Sequence, residues 1–549
     1  MKQETWRTVT PQYDNLNSTI ETLAEIEPVT YCQTQPRFLD AVNQFVRMQR
    51  IARILLVNSP DNSLYRKMIA TQLASIVSDA PVVATESFDM KDILGSEEVD
   101  QGKVIQHSPG LLEKANGGYL IVSANLLLAN PHVWPVLKAA MLGEPVAAVK
   151  LSKQKALSQT SEQRFDIKLI IMGDRNQLAD VDYLDDDIYG GLSLYSELET
   201  EISINPDSIV TLLGFLNWIC QQYQFPSLTA DAVKRILVAG ARFTEDQRYQ
   251  PLDIMWYLTL FEEASLDCNG QQLDVADIER AIEHKYTRES YLPERVASDI
   301  LDGHVIIETS GERVGQVNGL TVIDVPGHPV SYGEPARISC VIHFGDGDIS
   351  DVERKAELGG NLHAKGMMIM QAFVSSALKL EEPLPYSASV VFEQSYCEVD
   401  GDSASLAELC SFVSALSEYP INQQIAVTGA VDQFGRVQAV GGLNEKIEGF
   451  YHVCKHQGLT GNQGVILPES NLRNLALHQD VLDSIAREEF HIWSVSHVDE
   501  AIPLIMGKPF RGDDESSVVS MIAQRIENYE RQDHSQGIVQ RIKNWFLSH

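Results

Sequence analysis

Positive charge is scarce in this chain. Lys and Arg number 43 against 76 Asp and Glu over 549 residues, giving a formal net charge of −33. That balance favours solubility and argues against a phosphate backbone or an anionic membrane surface as a main partner. Long hydrophobic runs are absent too, since none approaches the roughly 18 apolar residues of a membrane span. The start, Met1-Lys-Gln-Glu-Thr-Trp-Arg7, lacks the apolar core of a secretory signal. The 7 cysteines (Cys32, Cys220, Cys268, Cys340, Cys397, Cys410, Cys454) are scattered, with no close pairing and an odd total, as reduced thiols would be. A cytoplasmic protein with no membrane partner and no nucleic-acid partner is expected. At this length several domains with sizeable cores are possible.

Two stretches carry chemistry only when read together. Glu398-Val-Asp-Gly-Asp-Ser-Ala-Ser405 closes a strand-like run, and the apolar series Leu406, Leu409, Cys410, Val413, Leu416 then has helical spacing. This places Ser403 at a helix N-cap, beside unpaired N–H groups that can stabilise an oxyanion. The second stretch, Gly441-Gly-Leu-Asn-Glu-Lys-Ile447, again turns from strand to helix and sets Lys446 in a first helical turn. Burial and the positive helix end both disfavour an ammonium there. A lysine must fall from ~10.4 to roughly 7 to 8 to serve as a base near neutrality. Each residue alone is ordinarily a cap or a solvated charge; the pair is a candidate nucleophile and base.

These segments resemble those of Lon-type proteases, nearer the LonB branch than LonA. In that family a Gly-Asp-Ser-Ala-Ser segment holds the nucleophile and a Gly-Gly-Leu-x-Glu-Lys segment the lysine of a Ser-Lys dyad. Both are present here at matching separation. The resemblance implies that Thr428, within Val427-Thr428-Gly429, orients Lys446, and that Asp400 fills the acidic position three before the serine. LonA histidines before the serine are replaced by Phe392-Glu-Gln-Ser-Tyr396, which favours a dyad over a Ser-His-Asp triad built on His328, His363, His491 or His497. His452 and His456 share a helical face, but Cys454 points elsewhere, so no metal site is expected.

The front half keeps a nucleotide-binding frame and lacks its chemistry. Ile54-Leu-Leu-Val57, a loop and a helical pattern form strand, loop and helix, yet a phosphate loop needs glycines, then Lys and Ser or Thr. Asn58, Asp61 and Ser63 stand where glycines belong, Leu64 for the lysine and Tyr65 for the hydroxyl residue. Lys67 falls three positions late. The segment from Ser108 to Asn125 resembles the Lon/AAA+ stretch leading to Walker B, where Ser123 and Ala124 replace the Asp-Glu pair. Gly173-Asp174 stands where a sensor asparagine is usual. No cofactor is required on this reading, and ATP with Mg²⁺ would enter only if the diverged site still binds.

The expected organisation is multidomain. A degenerate α/β AAA+-like module over 1–205 is followed by an α-helical lid over 206–290, an α+β Lon-type proteolytic domain over 291–508 and a helical tail over 509–549. Arg242 lies near the usual sensor-2 stretch and reads as structural without other nucleotide ligands. The resemblance implies a homohexameric ring acting on unfolded polypeptides. The expected activity is a Ser-Lys endopeptidase without ATP hydrolysis. Its rivals are an ATP-dependent Lon protease with a diverged nucleotide site and a catalytically silent chaperone or assembly subunit.

Overall fold

The computed structural model describes residues 2–528 apart from 87, 101–102, 152–161, 269, 346, 379–383, 396–398 and 513–515. By packing, the chain divides into two units. One comprises Glu21–Ser227 with Leu252–Thr259; the other comprises Met1–Ile20, Leu228–Pro251 and Leu260–His549.

The first unit is built on a five-stranded parallel sheet in the order Ser193–Glu197, Ile54–Asn58, Ile167–Gly173, Gly118–Ser123, Val82–Ala84. Its inner strands are covered on both faces, which is why Ile54–Val57 and Leu169–Met172 read as unbroken apolar runs rather than alternating ones.

The second unit holds an eight-stranded mixed sheet in the order Lys2–Gln3, Phe490–Val495, Gln463–Pro468, Ile425–Val427, Gln316–Ile323, Tyr332–Phe344, Tyr386–Glu393, Ile349–Asp351. Side chains alternate across a strand. Val427 and Ile466 therefore join the core beneath the helix Ser405–Ser417, while Ala426, Val465 and Leu467 join the one beneath the helix Leu443–Gln457. The two helices thus occupy opposite faces of one sheet. Only at a strand end can residues preceding or opening them meet.

Three differences from expectation have physical causes. Residues 1–20 were assigned to the front module, yet Lys2 pairs with Ser494 and Gln3 with Trp493 as an added edge strand in the second unit. A two-residue strand carries no periodicity that could announce such a distant partner. The 206–290 segment is helical over Ser208–Tyr223, Ala230–Thr244, Ile254–Leu266 and Val275–Glu289, but the first of these packs in the first unit, the second and fourth pack in the second, and the third crosses the division. The strand entering the serine segment ends at Glu393, because Gln394 turns the chain with φ +57, and the rest of the expected strand, to Tyr396, reaches beyond the described residues. In the tail, residues 518–528 are helical and bury Val518 and Ile522, whereas the acidic Asp513–Glu515 and the Ile542–Phe546 stretch lie outside the described residues.

One close approach fixes the lysine helix. A Cβ on Gly333, in the strand Tyr332–Phe344, would lie 2.1 Å from the Glu445 carbonyl oxygen and 2.5 Å from the Lys446 nitrogen. Backbone cannot yield as a flexible side chain can, so Gly333→Ala should push the helix off the sheet. Overpacking of this kind costs about 1–3 kcal/mol. A thermal melt beside wild type checks this prediction: the midpoint should fall.

Candidate active site

Ser403 and Lys446 meet where the strand Ile425–Val427 ends. The Ser403 carbonyl accepts from the Gly429 amide at 2.9 Å and from Thr428 Oγ1 at 3.3 Å, while the Leu406 amide donates to the Gly429 carbonyl at 3.1 Å. Held this way, the Ser403 carbonyl is not free to accept the first intrahelical bond. The helix therefore begins at Ser405, with Ala404 in the cap position and no side-chain cap. This corrects the expected N-cap role of Ser403, which sits two residues earlier in the turn, half-buried.

Lys446 occupies the first turn of its helix, as expected. Gly442 supplies the entry with φ +64, and a Cβ there would meet Val322 Cγ2 at 2.4 Å. Lys446 is 3% exposed, and its Nζ lies 3.2 Å from Ser403 Oγ. Burial pushes the ammonium down to about 8, against a smaller opposing pull from the Glu445 carboxylate. The result is a desolvated amine within hydrogen-bond reach of a hydroxyl, the arrangement a nucleophile and its base require.

Thr428 and Asp400 are placed differently from expectation. The Thr428 hydroxyl donates to the Ser403 carbonyl, and among the described residues no hydrogen bond joins it to Lys446. It anchors the Ser403 backbone rather than Lys446. Asp400 Oδ1 accepts from the Leu362 amide at 3.2 Å, and the Gly360 amide donates to the Val399 carbonyl at 2.9 Å. Asp400 therefore serves the N-terminus of the helix Asn361–Ala377 and tethers the serine loop to it.

The four candidate histidines are engaged elsewhere. His363, almost wholly buried, lies 3.2 Å from Asp351 and 3.5 Å from Glu408. Burial pushes the Glu408 carboxyl up to about 7, with His363 opposing. His328 contacts Val330, His491 the Gly461 carbonyl and Gln3, and His497 the Phe434 carbonyl and Asp499. In the former zinc candidate, Cys454 is buried while His452 and His456 are exposed.

In the first unit, the loop between the strand Ile54–Asn58 and the helix Ser63–Val77 is filled by its own side chains. Ser123 Oγ donates to Asp61 Oδ2 at 2.5 Å, and Arg66 pairs with Asp61 and with Glu86. The Asp61 carboxylate is thus held by Ser123 and by an arginine of the following helix. Asn62 caps the helix through the Leu64 and Tyr65 amides, and the Tyr65 ring is buried edge-on against Tyr31. Asn58 Nδ2 donates to Glu197 at 3.2 Å; Ser63 opens the helix; Ala124 is buried; and Lys67 faces solvent. Asp174 is the N-cap of the helix Arg175–Asp182. The donor set does not fit a nucleotide with its metal. Arg66 escaped the sequence reading, although an acid and a base five apart across a helix start was the available signal.

A family model described as the LonB-like AAA domain matches residues 78–195, and one described as the Lon protease (S16) C-terminal proteolytic domain matches residues 392–508. The first match begins beyond the diverged loop. Fold and site thus define an AAA-like domain followed by a serine-protease-type Lon proteolytic domain. An Escherichia coli K12 protein named a Lon protease homolog is 37% identical over 580 residues, covering 99% of this chain and 98% of the relative. A Haemophilus influenzae protein of the same name is 36% identical, covering 91% and 85%. An archaeal Lon protease of Methanocaldococcus jannaschii is 30% identical over 217 residues, covering 38% of this chain and 30% of the relative. The chain belongs to the Lon protease family. No helix among the described residues is long and apolar enough to cross a membrane.

Proposed function

We propose that the chain is a serine endopeptidase that hydrolyses unfolded polypeptides with a Ser403–Lys446 dyad and without ATP hydrolysis. The observation that carries this reading is the 3.2 Å separation between Ser403 Oγ and a buried Lys446 Nζ whose pKa lies near 8. Neutral Lys446 takes the Ser403 proton as Oγ attacks the peptide carbonyl, then returns it to the leaving amine. Water hydrolyses the acyl-enzyme by the reverse use of the same base. The Ser403 and Ala404 amides, which form no hydrogen bond among the described residues, are assigned to the oxyanion. Because the base must be deprotonated, activity should rise with pH through about 8.

The self-occupied loop around Asp61, Arg66 and Ser123 supports a protease that runs without nucleotide. Family likeness supports a homohexameric ring in the cytoplasm that admits loose chains. Lacking a motor, such a ring should leave stably folded proteins intact.

The test is degradation of an unfolded model protein by the purified chain and by Ser403→Ala, each with and without Mg-ATP. Cleavage should proceed without ATP and fall at least ~10³-fold in the variant. Strong ATP stimulation would overturn the nucleotide-free reading. Absence of cleavage under every condition would point to a silent chaperone.

A further inference from the structure

Arg242 was read as structural, and the contacts it makes give that role a chemical consequence. It lies near the end of the helix Ala230–Thr244, and its guanidinium reaches the helix that carries Lys446. Nη1 donates to Glu448 Oε1 at 2.6 Å and Nη2 to Glu448 Oε2 at 2.8 Å, a forked pair; Nη2 also lies 3.4 Å from Glu445 Oε1. The arginine is fixed from its other side by the Ala476 carbonyl at 3.1 Å. Neighbouring hydrogen bonds hold its helix end in place, from the Gln247 amide to the Arg473 carbonyl at 2.8 Å and from the Asn474 side-chain Nδ2 to the Glu245 carbonyl at 2.6 Å. Glu445 and Glu448 flank Lys446 in sequence, and both are largely buried.

We propose that Arg242 is a positioning residue for the Ser403–Lys446 reaction, neutralising Glu445 and Glu448 so that Lys446 can shed its proton. The inference rests on the dyad reading above. The charge argument is direct. Glu445 is the acid that favours the ammonium form of Lys446; burial pushes its carboxyl up, and the guanidinium is the cation that opposes that rise. Glu448 is likewise held ionised by Arg242, with His478 assisting through its amide at 2.9 Å. On the other elements packed here, the strand Tyr332–Phe344 contributes Glu334, raised by burial, and Glu245 and Tyr286 lie on the Arg242 side. None of these replaces a lost guanidinium. Removing that cation leaves the charge of Glu445, the acid that acts on the buried amine, without its counter-ion, which favours the ammonium form.

The inference separates from a purely structural role by pH dependence. The full-length chain, Arg242→Met, Arg242→Lys, Glu445→Gln and Arg242→Met/Glu445→Gln are trace-labelled with acetic anhydride from pH 6 to 10.5. Lys446 modification is read by mass spectrometry, and kcat/KM for an unstructured peptide is followed over the same range. Arg242→Met should move the Lys446 titration upward by about one unit, lowering kcat/KM at pH 7 about tenfold while KM and the high-pH rate stay within about twofold. Arg242→Lys should recover part of the shift, and adding Glu445→Gln should recover more. Glu445→Gln alone should move the titration down, and where Arg242→Met fails to fold the upward shift in Arg242→Lys decides the role of the guanidinium. An equal loss at every pH, an unmoved titration, or an upward shift in Glu445→Gln would overturn the proposal. If the wild-type chain cleaves nothing, the dyad reading fails, yet the labelling curve still decides what Arg242 does to Lys446.

Discussion

Lys446→Met is expected to reduce peptide cleavage by about 10²–10⁴-fold, the range a positioned general base supplies, while making the protein more stable. The first effect follows because no other base touches Ser403 Oγ among the described residues. The second follows from linkage. The folded pKa of Lys446, about 8, lies below the ordinary 10.5, so the native state binds fewer protons than the unfolded chain between those values. Stability therefore rises as pH increases from about 8 to 10.5, and the cost of burying the amine is fully present below 8. Methionine keeps the apolar stem and removes that cost, worth roughly 3 kcal/mol at pH 7. Guanidinium unfolding at pH 7 and pH 10 checks the sign: the variant should gain over wild type at pH 7 and lose that advantage at pH 10. A stable, inactive variant is the signature of a residue kept for chemistry at the expense of the fold.

Arg66→Met should be the most damaging single change in the first unit. Arg66 is 5% exposed, and the Asp61 side chain it pairs with is 7% exposed, so the substitution strands a buried carboxylate. Removing one partner of a buried pair costs about 3–5 kcal/mol. Ser123 alone cannot offset that loss, because one hydroxyl donor replaces a guanidinium. Replacing both partners, as Arg66→Met/Asp61→Leu, should recover much of the stability, since apolar substitution of an entire buried pair is often neutral. Denaturant unfolding of the two variants beside wild type measures the difference. The half-exposed Glu86 should matter less, because water screens it. If Asp61 fills the phosphate position as proposed, neither variant gains nucleotide binding, since the missing glycines and the Asp-Glu pair remain missing.

Much of the chemistry was legible because it lies in local signals. Ser403 and Lys446 sit in segments whose strand-to-helix turns are written in Gly441-Gly442 and in apolar spacing. Lys446 falls in the first helical turn where that spacing puts it. The hydrophobic frame of the parallel sheet was equally readable, because strands buried on both faces are continuous runs. What misled the sequence reading was competition for a single hydrogen-bonding atom. Ser403 looked like a cap because the helix pattern starts after it, but its carbonyl is taken by Gly429 and Thr428, and the helix starts at Ser405. Thr428 looked like a partner of Lys446, and meets the Ser403 backbone instead.

By itself the sequence determined the candidate pair Ser403 and Lys446, the absence of glycines and acids from the front strand-loop-helix frame, and the strands that carry both, since each depends on residue type at short range. Only the tertiary structure decided that Lys446 is buried to 3% exposure, that Arg242 grips Glu445 and Glu448 across more than two hundred residues of chain, that Asp61 is clasped by Arg66 and Ser123, and that Lys2–Gln3 closes the edge of the second unit's sheet. The reason is common to all four. Desolvation, ion pairing and strand addition are set by what the fold brings alongside a residue, and none of those neighbours is near it in sequence except by accident of a turn.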